Sequence, residues 1–183
     1  MSTIPAFLQA VAEGMAALAP AAKSVEVYRG RFKVADVTNQ SLRTPALRVA
    51  LMGVRRVQPV ASGERDATLR LSCAIVTVDR PGKRREDAAN ALVNDLIIQL
   101  PGRTWGLDTA HPAGDVDGEN LFTGDVGRKG VMLWELRWSQ TVRLGQNAFA
   151  SDGVLPSKVY AGQAPEIGAD HQPDYELVVG GEK

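Results

Sequence analysis

Few side chains in this sequence combine the type and spacing that chemistry demands. The nearest to a reactive group is the acidic run Asp115, Asp117 and Glu119, with His111 a short way upstream. Oxygen ligands two residues apart can converge on a hard cation, and a histidine beside them would suit a small metal-dependent enzyme that activates a bound water. The detail departs from an EF-hand loop, because the twelfth position counted from Asp115 is Val126 and not a bidentate Glu. A solvated acidic turn is the plainer reading. His111 and His171 are the only histidines and lie in Pro-containing, loop-like surroundings, which suit solvated side chains. Cys73 is the single cysteine, so one chain can form neither an internal disulfide nor a thiolate metal site, and the residue reads as core. GxSxG, HExxH, Walker A and GxGxxG patterns do not occur, so hydrolase, zinc-protease and nucleotide-binding readings lack their minimal spacing. No catalytic, cofactor-binding or metal residue is assigned, and no cofactor is expected.

The charged residues are more informative. Lys83, Arg84 and Arg85, with Arg80 nearby, cluster where a helix should start, and cations there oppose the helix dipole. A partner carboxylate or phosphate would relieve that mismatch. The whole chain is neutral, with 21 basic and 21 acidic residues. Its balance is uneven: residues 1–104 hold 15 Lys and Arg against 9 Asp and Glu, giving +6, while residues 105–183 hold 6 against 12, giving −6. Neutrality, and the want of basic strands interleaved with aromatics, argue against specific nucleic-acid recognition. The apolar stretch from Ile4 to Ala22 is broken by Glu13, Gly14 and Pro20, and the first basic residue, Lys23, follows it. Neither a membrane span nor a secretory signal is therefore expected, and the chain reads as cytoplasmic. Asn39–Gln40–Ser41 matches a glycosylation sequon but has no secretory context.

The elements that must position these residues follow from periodicity. Ser2 or Thr3 can cap a first helix with Pro5 in its first turn, and Phe7, Leu8, Val11, Met15 and Leu18 recur on one face until Pro20. The alanine-rich opposite face suggests cover from a neighbouring subunit. A short strand follows at 24–28, then a polar loop at 37–44. Two long alternating runs, 46–57 and 67–79, are joined by a turn-rich piece at 58–66 and read as an antiparallel hairpin. Ala89, Leu92, Val93, Leu96, Ile97 and Leu100 mark the clearest helix, which Pro101–Gly102 stops. A connection at 103–130 is rich in Gly and Asp and has room for a short strand near Leu121–Phe122. The run 131–144 alternates strictly, with Trp134 and Trp138 on its core face. Residues 145–183 lose periodicity and carry Lys158 and Lys183 against six acids, so the tail is either disordered or ordered on another surface. The expected fold is α+β: a mainly antiparallel sheet with two helices packed on one face in residues 1–144, followed by an extended acidic C-terminal arm, 145–183.

This layout, with "SVEVY", "TPALRVAL", "EDAANALVNDLIIQL" and "VMLWELRWSQTV" in order, resembles the tail terminator proteins of long-tailed phages, their Mu-like branch in particular and the lambda tail terminator more distantly. The resemblance covers about residues 3–145 and has no signature motif. It implies a non-enzymatic virion protein of the tail and neck, assembled in the host cytoplasm. Six copies would form a ring on the head-proximal end of the tail tube, stop tube polymerisation and present a joining surface to neck proteins. Double-stranded DNA would pass through the lumen without specific recognition. The partners implied are further copies of the chain, the tail-tube protein and neck or head-completion proteins, with no membrane. Another neck or tail-completion protein, or a tail-tube protein, is the alternative within the same class.

A ring needs two different patches that meet, and opposite charge helps orient them. The charge split therefore suggests that the basic part of one subunit faces acidic loop or tail segments of its neighbour. The 55–66 connection, with Arg55, Arg56, Glu64 and Arg65, is expected at the tube or neck contact because long hairpins project from small domains. Lys83, Arg84 and Arg85, and Tyr160 and Tyr175 in the tail, complete the candidate interface residues.

Overall fold

Three long, largely apolar segments produce the centre of the fold. The computed structural model describes residues 2–33, 35–39, 42–150 and 158–179. Strands β2 (Ala46–Pro59), β3 (Arg65–Val78) and β5 (Val131–Leu144) lie side by side, antiparallel. Their register sets Leu47, Ile75 and Trp134 in one cross-strand row, Val49, Cys73 and Leu136 in the next, and Leu51, Leu71 and Trp138 in the third. Two further strands complete the sheet. β1 (Ser24–Val27) pairs with β2, and β4 (Gly114–Asn120) with β5, giving the order β1-β2-β3-β5-β4.

Helices α1 (Ile4–Leu18) and α3 (Arg85–Gln99) pack over those rows, and Phe7, Val11 and Met15 join Leu92, Leu96 and Leu100 in one buried cluster with the strand residues. Thr3 caps α1 by accepting from the Ala6 N–H at 3.4 Å. A cap of that kind contributes about 1 kcal/mol, whereas each large apolar side chain buried contributes about 1.5–3 kcal/mol. Packing, more than capping, holds the helix. None of the described helices is long and apolar enough to cross a membrane.

The sheet is mainly antiparallel, as expected, but mixed, with one parallel pair, and the described helices number more than two. β1 runs parallel to β2, from Ser24 opposite Ala46 to Val27 opposite Val49. A parallel pair needs a long crossover, and residues 28–45, read from sequence as a polar loop, supply it and include the short helix α2 (Asp36–Asn39). Part of the same segment covers the second sheet face. Phe32 packs with Ala46, Ala74, Val76, Val131 and Leu133, joined by Val126 of the short helix α4 (Gly124–Arg128). The sequon at Asn39 falls partly outside the described residues.

Two further expectations change. The strand sought near Leu121–Phe122 lies earlier, at β4, where no apolar alternation marks it and where Gly118, at which a Cβ would stand 2.9 Å from Leu136, lets an acidic segment lie close against β5. The Leu121 N–H does continue the pairing, donating to the Leu133 carbonyl at 2.9 Å. The segment 148–183 forms a unit of its own, in which β6 (Val159–Ala161) pairs antiparallel with β7 (Glu176–Val179) and a 3-10 helix spans Ala169–Asp174. These strands are too short to leave a periodic signal.

Candidate interaction surface

Among the described residues of 2–147, the cover on the second face of the sheet lies at one end, and beyond it that face is charged. Register places Ser72, Arg137 and Asp117 in one cross-strand row, and Ala74, Glu135 and Glu119 in the next. Arg137 sits between carboxylates of the neighbouring strand: its Nε donates to Asp117 at 3.1 Å and its Nη2 lies 3.1 Å from Glu119. The hydrogen bond to Asp117 leads in raising the Arg137 pKa above its ordinary value. Ser139 donates to Asp115. Glu135 is nearly buried, with its carboxylate met by Arg31 at 2.9 Å from the crossover segment. Arg48, also buried, donates to Ser24 and to the Leu47 carbonyl and lies 3.5 Å from Glu26. Arg31, Glu135, Arg137 and Ser139 border an open cleft of about 480 Å³ that reaches from Met52 and Arg55 on β2, past Arg70, to Asp115 and Asp117 on β4. Arg55 and Arg70 have no carboxylate partner among the described residues.

The connection that delivers β4 is fixed by one buried amide. Gln140, 1% exposed, donates to the Arg103 carbonyl at 2.9 Å and the His111 carbonyl at 2.6 Å, and accepts from Trp105 Nε1 at 2.8 Å. Trp105 in turn lies 6.4 Å from Trp138, centroid to centroid, and presses on Gly14 of α1. Thus β5 sets the path of residues 103–113 and hence where the acids of β4 lie.

The candidate residues fall in several places. Asp115, Asp117 and Glu119 are on a strand, not a turn or calcium loop, and each is engaged by β5. Among the described residues, no three His, Cys, Asp or Glu side chains gather as a metal-binding group. His111 is exposed, and its backbone N–H bonds to Thr141. His171 lies 3.4 Å from Asp174 in the 3-10 helix. Cys73 is fully buried, and burial pushes its thiol pKa up to about 12.

Arg55, Arg56 and Arg65 are not in the hairpin connection. β2 extends to Pro59, which pairs with Arg65, because a proline at a strand end on an open edge loses no ladder bond. Only 60–64 turn, and there Glu64 accepts from Ser62 at 2.7 Å. The Arg65 guanidinium donates to the Gly63 and Glu64 carbonyls. The basic cluster before α3 is largely matched from within. Arg84 meets Glu86 at 2.9 Å, and Arg85 meets Asp79 at 3.7 Å and lies 5.8 Å over the Phe122 ring. Asp79 also accepts the Arg85 N–H, so a carboxylate at the helix start offsets the cations and no external anion is needed. Lys83 is exposed. In the C-terminal unit Tyr160 is exposed, whereas the Tyr175 hydroxyl accepts from the Gly168 N–H at 2.7 Å and donates to its carbonyl.

Sequence reasoning missed Arg31, Arg70, Glu135, Arg137 and Gln140. Acids at 115, 117 and 119 share the two-residue period of Glu135, Arg137 and Ser139, and that shared period was the signal for paired strands. No family model matches the chain, and no curated protein matches it.

Proposed function

We propose that this chain is a structural subunit of a phage tail, a terminator that forms a ring on the head-proximal end of the tail tube, stops its growth and offers the neck a joining surface. The observation that carries the reading is apolar surface in the C-terminal unit. Val159, Tyr160, Ile167, Leu177 and Val178 are between 41% and 63% exposed, and the 3-10 helix of that unit buries no side chain. So many exposed apolar side chains on a unit this small are accounted for by an assembly that covers them. The order of elements, with its long hairpin, supports the same reading through the family resemblance. The charge split supports contacts between unlike parts of neighbouring copies. Under this reading the chain is non-enzymatic, acts in the tail and neck of the virion, and lets double-stranded DNA pass its lumen without reading sequence.

The test is tail assembly with the chain omitted. Over-long tails without heads are expected, and normal tails joined to heads would overturn the proposal. A head-completion protein would instead leave tail length unchanged while blocking joining.

A further inference from the structure

The five-stranded sheet has two open edges of opposite charge. β1 covers β2 only over Ala46–Val49. From Ala50 to Pro59 the outer side of β2 has no strand beside it among the described residues, and Val54–Pro59 is exposed throughout. That exposed stretch carries Arg55 and Arg56 and no acid. At the other side of the sheet, β4 pairs with β5 alone. It carries Asp115, Asp117 and Glu119 and no base, and among the described residues Arg137 is the one guanidinium paired with them.

An open edge offers unpaired N–H and C=O groups to another chain, and proteins usually blunt it with charge, bulges or proline. β2 has register shifts between Leu51 and Gly53 and between Val54 and Arg56, and ends in Pro59. The blunting by charge is of one sign on each edge. Two β2 edges therefore repel and two β4 edges repel, while β2 against β4 attracts. Val54 and Val57, 48% and 58% exposed, add apolar surface to such a contact.

We propose that the basic β2 edge, Val54–Pro59, of one copy docks on the acidic β4 edge, Gly114–Asn120, of a second copy. The contact is heterologous, so a pair of copies keeps one free edge of each kind, and repetition closes a ring where the rotation permits. This inference rests on the ring reading above and supplies an interface for it.

The test is native mass measurement of the full chain and two charge-reversed variants, R55E/R56E and D117K/E119K, with circular dichroism to check folding. Each variant alone should lose assembly, with the association constant falling about tenfold or more. Mixing the two should restore rings in which the variants alternate, because every junction is then complementary. The neutral R55Q/R56Q variant, which leaves the backbone unchanged, should assemble more weakly than wild type and less salt-sensitively. Wild-type rings that persist unchanged in both reversed variants and in R55Q/R56Q would overturn the edge contact and leave the ring reading intact. Folded variants that fail to assemble even when mixed would also overturn the edge contact. A wild-type chain that stays monomeric would overturn both.

Discussion

Gly14→Ala should destabilise the protein even though the substitution lies inside a helix. By propensity alone, alanine would gain about 1 kcal/mol over glycine at such a position. The structure reverses the sign. A Cβ at residue 14 would press into the Trp105 ring, with Cζ3 at 3.0 Å and Cε3 closer still. The ring has little freedom to retreat, since its Nε1 is bonded to the buried Gln140 and its face lies near Trp138. Overpacking of this kind costs about 1–3 kcal/mol, and losing the indole hydrogen bond adds about 1 kcal/mol. The net loss is about 1–3 kcal/mol. With a urea m-value of about 2 kcal/mol/M for a domain of this size, the unfolding midpoint should fall by about 0.5–1.5 M. The same substitution in a Trp105→Leu background should be neutral or stabilising, because the ring it strikes is gone. A midpoint that rises for Gly14→Ala alone would refute the close approach of α1 to Trp105.

Three further outcomes follow from the same structure. Gln140→Leu leaves an indole N–H and two carbonyls without their partner and should cost about 3–5 kcal/mol by urea unfolding, with faster amide exchange in residues 103–120. The Arg143 guanidinium, bonded to both carboxylate oxygens of Asp66 at 2.9 and 3.0 Å, holds the Asp66 pKa below its ordinary value. The folded state thus binds that proton less readily than the unfolded chain, so the pair stabilises above the unfolded carboxylate pKa of about 3.9 and the contribution is lost as pH falls through the folded value. Asp66→Asn should accordingly lower stability near neutral pH and match wild type in acid. Finally, the buried Cys73 thiol should resist a thiol reagent in the native protein and react in one equivalent after denaturation.

The sequence made the long elements legible because each is a long, largely apolar run with a regular period, even where β2 and β3 bury both faces, over Ala46–Ala50 and Leu71–Thr77. α1, α3, β2, β3 and β5 all carry that mark. β4 does not: its side chains are acids and glycines, and it becomes a strand only through pairing with β5, which no local pattern records. The parallel placement of β1 likewise depends on a crossover anchored by Phe32, with Tyr28, Val37 and Leu42 packed in the same cluster, residues too scattered to show a period. The same cause limited the candidate surface. Arg137 and Glu135 lie in a segment recognised for its apolar face, so their polar face attracted less notice, and Arg31 reaches Glu135 from 104 positions away. The cluster at 83–85 misled for a related reason, since Asp79, which answers Arg85, precedes it across a turn.

Electron microscopy of the purified full-length chain tests the central claim most directly. The account predicts closed rings of one diameter and one copy number that do not extend with concentration. Long tubes of the chain alone would mark it as a tube protein, and particles that remain single at every concentration would contradict the assembly reading altogether.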